Sequence, residues 1–288
     1  MVHGVPVPTD DWTPSAIERE RTAYRTRATR RSALVAAMAS VAVLAVVAAA
    51  VTSSPGWPAF RETFFNWDKA VDSLPAVAQG LWLNIRVMLV CAVCIAVLGM
   101  VVAIMRTARG PVMFPVRALG TAYVDLFRGL PLLLLLFLLG FGMPSLRLAG
   151  LPTSALFWGG LAITLSYSAY VAEVFRSGIE SIHPSQWAAA RSLGLTYRQT
   201  LRHVVLPQAI RRVTPALMND VVSLQKDSGL VAVLGVVDAI RAAQIETSVD
   251  YNFTPYVVAG VLFLLLTIPM ARFTDWLARR QGLRSGVL

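Results

Sequence analysis

Arg128 is the side chain whose position most needs a chemical reason. It lies in a run, Ala118 to Phe141, that is otherwise apolar except for Asp125. In a membrane helix it would sit about ten residues from the end, roughly 15 Å deep. A guanidinium at that depth costs about 2.5–3.5 kcal/mol on insertion scales, so it must pair or line water. Asp125 and Glu173 are the candidate partners. Gly129 and Pro131 follow closely, and such residues tend to break or kink a helix. Broken helices are tolerated at depth where they line a cavity. A buried salt bridge bracing two helices explains Arg128 as well as a place on a pathway does. A second polar set, Asn219, Asp220, Gln225, Lys226, Asp227 and Ser228, falls within another mainly apolar stretch. Asp220 and Asp227 are seven apart and share a helical face. Gln225 to Ser228 could meet a zwitterionic substrate, or could bond across a subunit interface.

Motifs for covalent chemistry are missing from the sequence. There is no G-x-x-x-x-G-K-[ST] loop, so ATP binding through a P-loop is not expected on this chain. Neither H-E-x-x-H nor G-x-S-x-G occurs. Cys91 and Cys94 form C-x-x-C inside an apolar run, without the second pair or nearby His that a zinc site needs. They read as small apolar helix residues. His3, His183 and His203 support no metal site.

The elements that must position these residues are membrane helices. Of 288 residues, 56% are hydrophobic and 15% charged, and mean hydropathy is +0.61. That charge deficit, spread over long uncharged runs, excludes a soluble enzyme and a disordered chain. The net charge of +10 comes from basic clusters between apolar runs, which is a membrane-topology pattern and not a nucleic-acid footprint. Ala33 to Val51, Val87 to Met105, Ala118 to Phe141, Leu148 to Ala172 and Tyr251 to Ala271 read as spans. The first is better read as a retained anchor than as a signal peptide. A sixth crossing between Pro215 and Val237 follows from parity. Arg19 to Arg31, Arg106 to Arg117, Arg176 to Arg212 and Arg279 to Arg284 all then face inward. The outer segments would be Thr52 to Pro75, Met143 to Thr153 and Asp238 to Asp250, holding four basic residues against six acids.

The inward segment EVFRSGIESIHPSQWAAARSLGLTYRQTLRHVVLPQAIRR has its own punctuation. Pro184 suits the first position of a helix, and Gly194 suits a left-handed stop. Thr196 can cap a second short helix, and Pro207 opens the next. The expected result is a helical knob of about 15 Å. Its Ala-rich face would let a partner approach closely, with Trp187 as an interface anchor.

Here a resemblance becomes specific. The run A-A-A-R-S-L-G-L, followed by L-P-Q-A-I, resembles the EAA signature of ABC-importer permease subunits. Tyr123 to Phe137, Tyr167 to Ile182, Ser192 to Arg211 and Leu224 to Asp238 are similar to the polar amino-acid subfamily, and GLWLNIRV (Gly80 to Val87) to its opening helix. The likeness covers about residues 66–280. It implies an all-α type I importer permease fold with six transmembrane helices and both termini cytoplasmic, in a bacterial-type inner membrane. It also implies a second permease subunit, a dimer of ATPase subunits carrying ATP and Mg, and an extracytoplasmic binding protein delivering a polar amino acid. Glutamate or glutamine comes first and a basic amino acid second. This chain itself would bind no cofactor and catalyse nothing. The coupling helix would be His183, Pro184, Ser185, Gln186, Trp187, Ala188, Ala189, Ala190, Arg191, Ser192, Leu193 and Gly194. The substrate path would draw on Asp125, Arg128, Gly129, Pro131, Glu173, Asn219, Asp220, Gln225, Lys226, Asp227 and Ser228. Ala188 departs from the signature, which has Glu there, and this points toward a non-identical partner permease. The expected organisation is a basic tail (1–32), a first helix (33–52), an outer connection (53–75), a core (76–280) holding a coupling segment (177–206), and a tail (281–288). A gradient-driven secondary transporter is the rival reading. It would need no knob and would favour inverted repeats, of which the sequence carries no sign.

Overall fold

The computed structural model describes residues 15–108, 110–147 and 149–280. Residues 1–14 of the expected basic tail, Arg109, Leu148 and the expected tail 281–288 lie outside the described residues. Among the described residues every regular element is helical and no strand occurs. The chain divides into two units, Met1–Arg61 and Glu62–Leu288.

The first unit is carried by α1 (Ala16–Thr52), which Ser15 caps by accepting the Glu18 N–H at 3.2 Å. Its 37 residues reach roughly 55 Å, so the helix includes both an arginine-rich stretch and the apolar run. α2 (Trp57–Phe64) follows, with Trp57 stacked on Phe60 at 5.8 Å.

In the second unit, Asn66 accepts the Lys69 N–H at 3.1 Å and starts α3 (Trp67–Thr107). α3 runs through Pro75, so most of the expected outer connection is helical. A proline removes one backbone bond there, and the well-capped helix continues past it. Gly129 and Pro131 break the third expected span into α4 (Phe114–Gly129) and α5 (Leu132–Ser145), which meet at 101°. Leu130, held extended by the following proline, makes the corner (φ −96°, ψ 132°).

α6 (Ala155–Glu180) begins at Ser154, which accepts the Phe157 N–H at 3.4 Å. It therefore starts seven residues later than expected. α6 is the central helix of the unit, packing against α3, α4 and α5. Its buried face is built from Gly159, Ala162, Ser166, Ser168, Ala169 and Ala172, small residues that let neighbouring backbones approach. Tyr123 on α4 donates to the Leu165 carbonyl at 2.9 Å and lies 2.6 Å from the Ser168 hydroxyl.

Two short helices, α7 (Pro184–Ser192) and α8 (Tyr197–Thr200), follow. A widened π turn over Leu201–Val205 joins α8 to α9 (Leu206–Asp227) without a gap. Pro207 stands in the first turn of α9, as expected, although α9 follows the π turn without a gap. The chain then tightens into 3₁₀ turns over Ser228–Leu234, reverses at Gly235 (φ 81°) and enters α10 (Ala239–Asp250) at 49°. Asp238–Asp250, expected as an outer loop, is thus mostly helix. α11 (Thr254–Arg280) closes the unit. Among the described residues, four helical runs are long and apolar enough to cross a membrane, or up to six if each bent pair is one span.

The second bend is fixed by a buried asparagine. Asn84 on α3 donates to the Ser228 carbonyl at 3.0 Å and to Asp238 Oδ2 at 2.9 Å. Its own carbonyl accepts the Ala239 N–H at 3.1 Å. One turn earlier, Gly80 leaves no room, since a Cβ there would lie 2.4 Å from the Ala239 nitrogen and the Asp238 carbonyl carbon. Asn84→Leu orphans three buried partners at about 1–3 kcal/mol each. Gly80→Ala pushes backbone against backbone, an overpacking cost of about 3 kcal/mol. Both variants are expected to lower the thermal midpoint of the purified protein sharply, with Asn84→Gln intermediate. Unchanged melting of both would remove this joint from the account.

Candidate functional site

The corner between α4 and α5 opens a pocket of about 520 Å³, within the range of small-molecule sites. The end of α4 supplies Arg128 and Gly129, and the corner supplies Leu130 and Pro131. α6 contributes Ser166, Tyr167 and Tyr170, while α9 contributes Asp220, Ser223 and Asp227. Arg128, Gly129, Pro131, Asp220 and Asp227 are therefore brought together from distant parts of the chain.

Each charge in the pocket has a particular setting. The Arg128 guanidinium lies 5.4 Å from the centre of the Tyr170 ring and 4.0 Å from Glu173. Asp125 is exposed and makes no ion pair among the described residues, so of the two candidate partners only Glu173 is in reach. Glu173 is already held by Arg106 from α3 and by Arg176 on its own helix, and Arg176 also pairs with Glu180 at 2.6 Å. Three guanidiniums thus share two carboxylates, and Arg128 is the most weakly engaged of them. In the same lining, the Tyr167 hydroxyl donates to Asp227 at 2.6 Å. One oxygen of Asp220 is buried with no hydrogen-bond partner. The pocket can therefore offer both a cation for a carboxylate and carboxylate oxygens for an ammonium.

Other sequence-selected residues lie elsewhere. Gln225 is buried and accepts from Thr267 at 2.6 Å. Ser228 is buried, its hydroxyl bonded to the Gln225 carbonyl at 2.7 Å and its own carbonyl to Asn84. Asn219 and Lys226 are exposed and outside the pocket lining. The sequence reading missed Ser166, Tyr167, Tyr170 and Ser223. The first three lie near the end of an uncharged span, in helical step with Glu173 just beyond it, a signal that weighing charges alone passes over.

The knob forms where its stop and start signals put it. His183 Nδ1 accepts the Ser185 N–H at 3.2 Å, and Pro184 opens α7. Gly194 takes φ 81°, and Thr196 and Gln199 form a capping box for α8. Trp187 differs from its expected outward role. It stacks on Tyr197 at 5.4 Å and packs against a cluster containing Ile179, Ile182 and Val205. A large apolar ring gains more by completing that cluster than by facing water. Tyr197 donates to the Thr107 carbonyl at 3.2 Å, and Arg212 to the Ser181 carbonyl at 2.6 Å, tying the knob to α3 and α9. Ala190 faces inward, while Ala188, Ala189 and Leu193 face out, Leu193 being 82% exposed.

Residues 112–282 match the model of the family described as binding-protein-dependent transport system inner membrane component. The chain is 40% identical over 185 residues to the probable glutamine ABC transporter permease protein GlnM of Bacillus subtilis (strain 168), covering 64% of this chain and 83% of that one. It is 29% identical over 204 residues to the arginine transport system permease protein ArtQ of the same organism, covering 70% and 91%. A crystal structure of an amino acid ABC transporter with histidines superposes with a TM-score of 0.65 at 32% identity, covering 73% of this chain and 96% of that one. The apolar helices and this match over more than half of the sequence make the chain an integral membrane protein, and it belongs to the family of binding-protein-dependent transport system inner membrane components.

Proposed function

We propose that this chain is the permease subunit of an ATP-driven amino-acid importer and that the pocket at the α4–α5 corner lies on its translocation path. The observation that carries the reading is the corner itself, where Arg128, Asp220 and Asp227 line one cavity of small-molecule size. An extracytoplasmic binding protein delivers the substrate. A dimer of ATPase subunits, holding ATP and Mg, closes under the knob 183–194. A second permease chain completes the assembly, and Ala188 in place of the signature Glu favours a non-identical one. This chain supplies the path and binds no cofactor. The arginine distribution supports cytoplasmic termini and a bacterial inner-membrane location.

Charge narrows the substrate. The pocket holds one guanidinium and two carboxyl groups. Arg128 suits an α-carboxylate, and the aspartates suit an α-ammonium. A second carboxylate on the substrate would then lie beside Asp220 or Asp227, a like-charge placement that disfavours it. Glutamine or a basic amino acid therefore fits better than glutamate, consistent with the named relatives. The test is competition for uptake of labelled arginine and glutamine in vesicles holding the full complex. Unlabelled glutamine or arginine is expected to compete at least tenfold better than glutamate. Preferential inhibition by glutamate would contradict this arrangement of charges.

A further inference from the structure

A second cavity, of about 640 Å³, lies between α3 and α6 on a different face from the corner pocket. Its lining is apolar apart from Arg86, Ser154 and Thr164. The register of the two helices sets its level in the membrane. The Cys91 thiol donates to the Gly160 carbonyl at 3.5 Å, and Gly99 closes on Ser168 and Val171. Cys91–Gly160 and Gly99–Ser168 share one offset, so the helices run parallel and Arg86 lies level with Ala155, where α6 begins. Arg86 therefore sits beside the first turn of α6. Below it the groove descends to Leu98, about 18 Å along the helix axis. That matches one leaflet of hydrocarbon, roughly half of a 30 Å core. Arg86 is exposed and makes no ion pair among the described residues.

We infer that this groove holds an anionic glycerophospholipid. Its phosphate pairs with Arg86, and one acyl chain lies along Val87, Val90, Cys94 and Leu98. The charge at one end and the dry channel beneath it fit that occupant. A neutral helix face of another chain would leave the guanidinium without an anion, and a soluble anion would leave the channel unfilled. An arginine at this level also favours anionic headgroups over zwitterionic ones. The inference rests on the chain being a membrane protein and not on the amino acid it passes, so transport can fail while the lipid site stands.

Native mass spectrometry tests it without any transport readout. The full-length chain, released from detergent, is titrated with phosphatidylglycerol or with phosphatidylcholine. Phosphatidylglycerol adducts are expected to exceed phosphatidylcholine adducts at least fivefold. Arg86→Ala should abolish that preference and Arg86→Lys should keep it. Cys94→Trp, which fills the channel and leaves Arg86 in place, should lower retention of both lipids. Equal binding of the two lipids, or an unchanged preference in Arg86→Ala, would overturn the inference. So would efficient cross-linking of Cys94 between two copies of the chain, because the groove would then be an interface between copies.

Discussion

Arg128→Ala is expected to cut amino-acid uptake at least tenfold while the complex purifies intact. Arg128 lines the corner pocket and is only loosely engaged, 4.0 Å from Glu173 and resting on Tyr170. Glu173 keeps Arg106 and Arg176 when Arg128 is removed, so no buried charge is orphaned. The usual large cost of breaking a buried pair, about 3–5 kcal/mol, therefore does not arise. Under the proposed role, the loss is a charge-assisted bond to the substrate carboxylate, about 1.5–3 kcal/mol or a factor of roughly ten to a hundred in affinity. Transport assays on purified complex, beside its yield and melting temperature, separate the two outcomes. Collapse of the complex with Arg128→Ala would assign Arg128 to bracing and remove it from the path.

The second large effect is expected at the knob. Gly194 holds φ 81°, and valine there adds a β-branched side chain to a left-handed backbone at about 1–3 kcal/mol. Ala189 faces outward, so Ala189→Arg places a long cation on the surface through which a partner would approach. Both lie far along the chain from the corner pocket. Each is expected to lower substrate-stimulated ATP hydrolysis and uptake at least tenfold, and to reduce co-purification of the ATPase. The binding protein should still bind its amino acid normally. Trp187→Ala should act differently, loosening the knob from Tyr197 and its apolar cluster and so lowering thermal stability as well. Transport at the unmodified rate in both Gly194→Val and Ala189→Arg would make the segment a passive connection.

The features legible in the sequence were those governed by local rules. Gly129 and Pro131 signalled a break, and the chain turns by 101° there. Pro184, Gly194 and Thr196 each act within one helical turn, and each does what its side chain dictates. Apolar runs announced the spans, although their ends moved wherever a cap, such as Asn66 or Ser154, set the start. The illegible features depend on partners far away in sequence. Asn84 looks like an isolated polar residue in an apolar run, and only its meeting with Ser228 and Asp238 explains it. The bonds of Gln225 to half-buried Thr267 and of Ser228 to buried Asn84 join different helices, so no local spacing announces them. Trp187 could not be oriented without Tyr197 and the cluster behind it. Tyr167 and Tyr170 carry no charge, so attention to charge alone missed half of the pocket wall.

Uptake by the full complex in sealed proteoliposomes tests the central claim most directly. The complex is reconstituted with its ATPase partner, ATP and Mg are trapped on the ATPase side, and the binding protein with labelled glutamine or arginine is supplied on the other. Accumulation is expected only with hydrolysable ATP and binding protein together. It should persist when ionophores collapse proton and sodium gradients, and it should fall at least tenfold with Arg128→Ala. Accumulation that continues without ATP and stops with ionophore would contradict the account and assign the chain to gradient-driven transport.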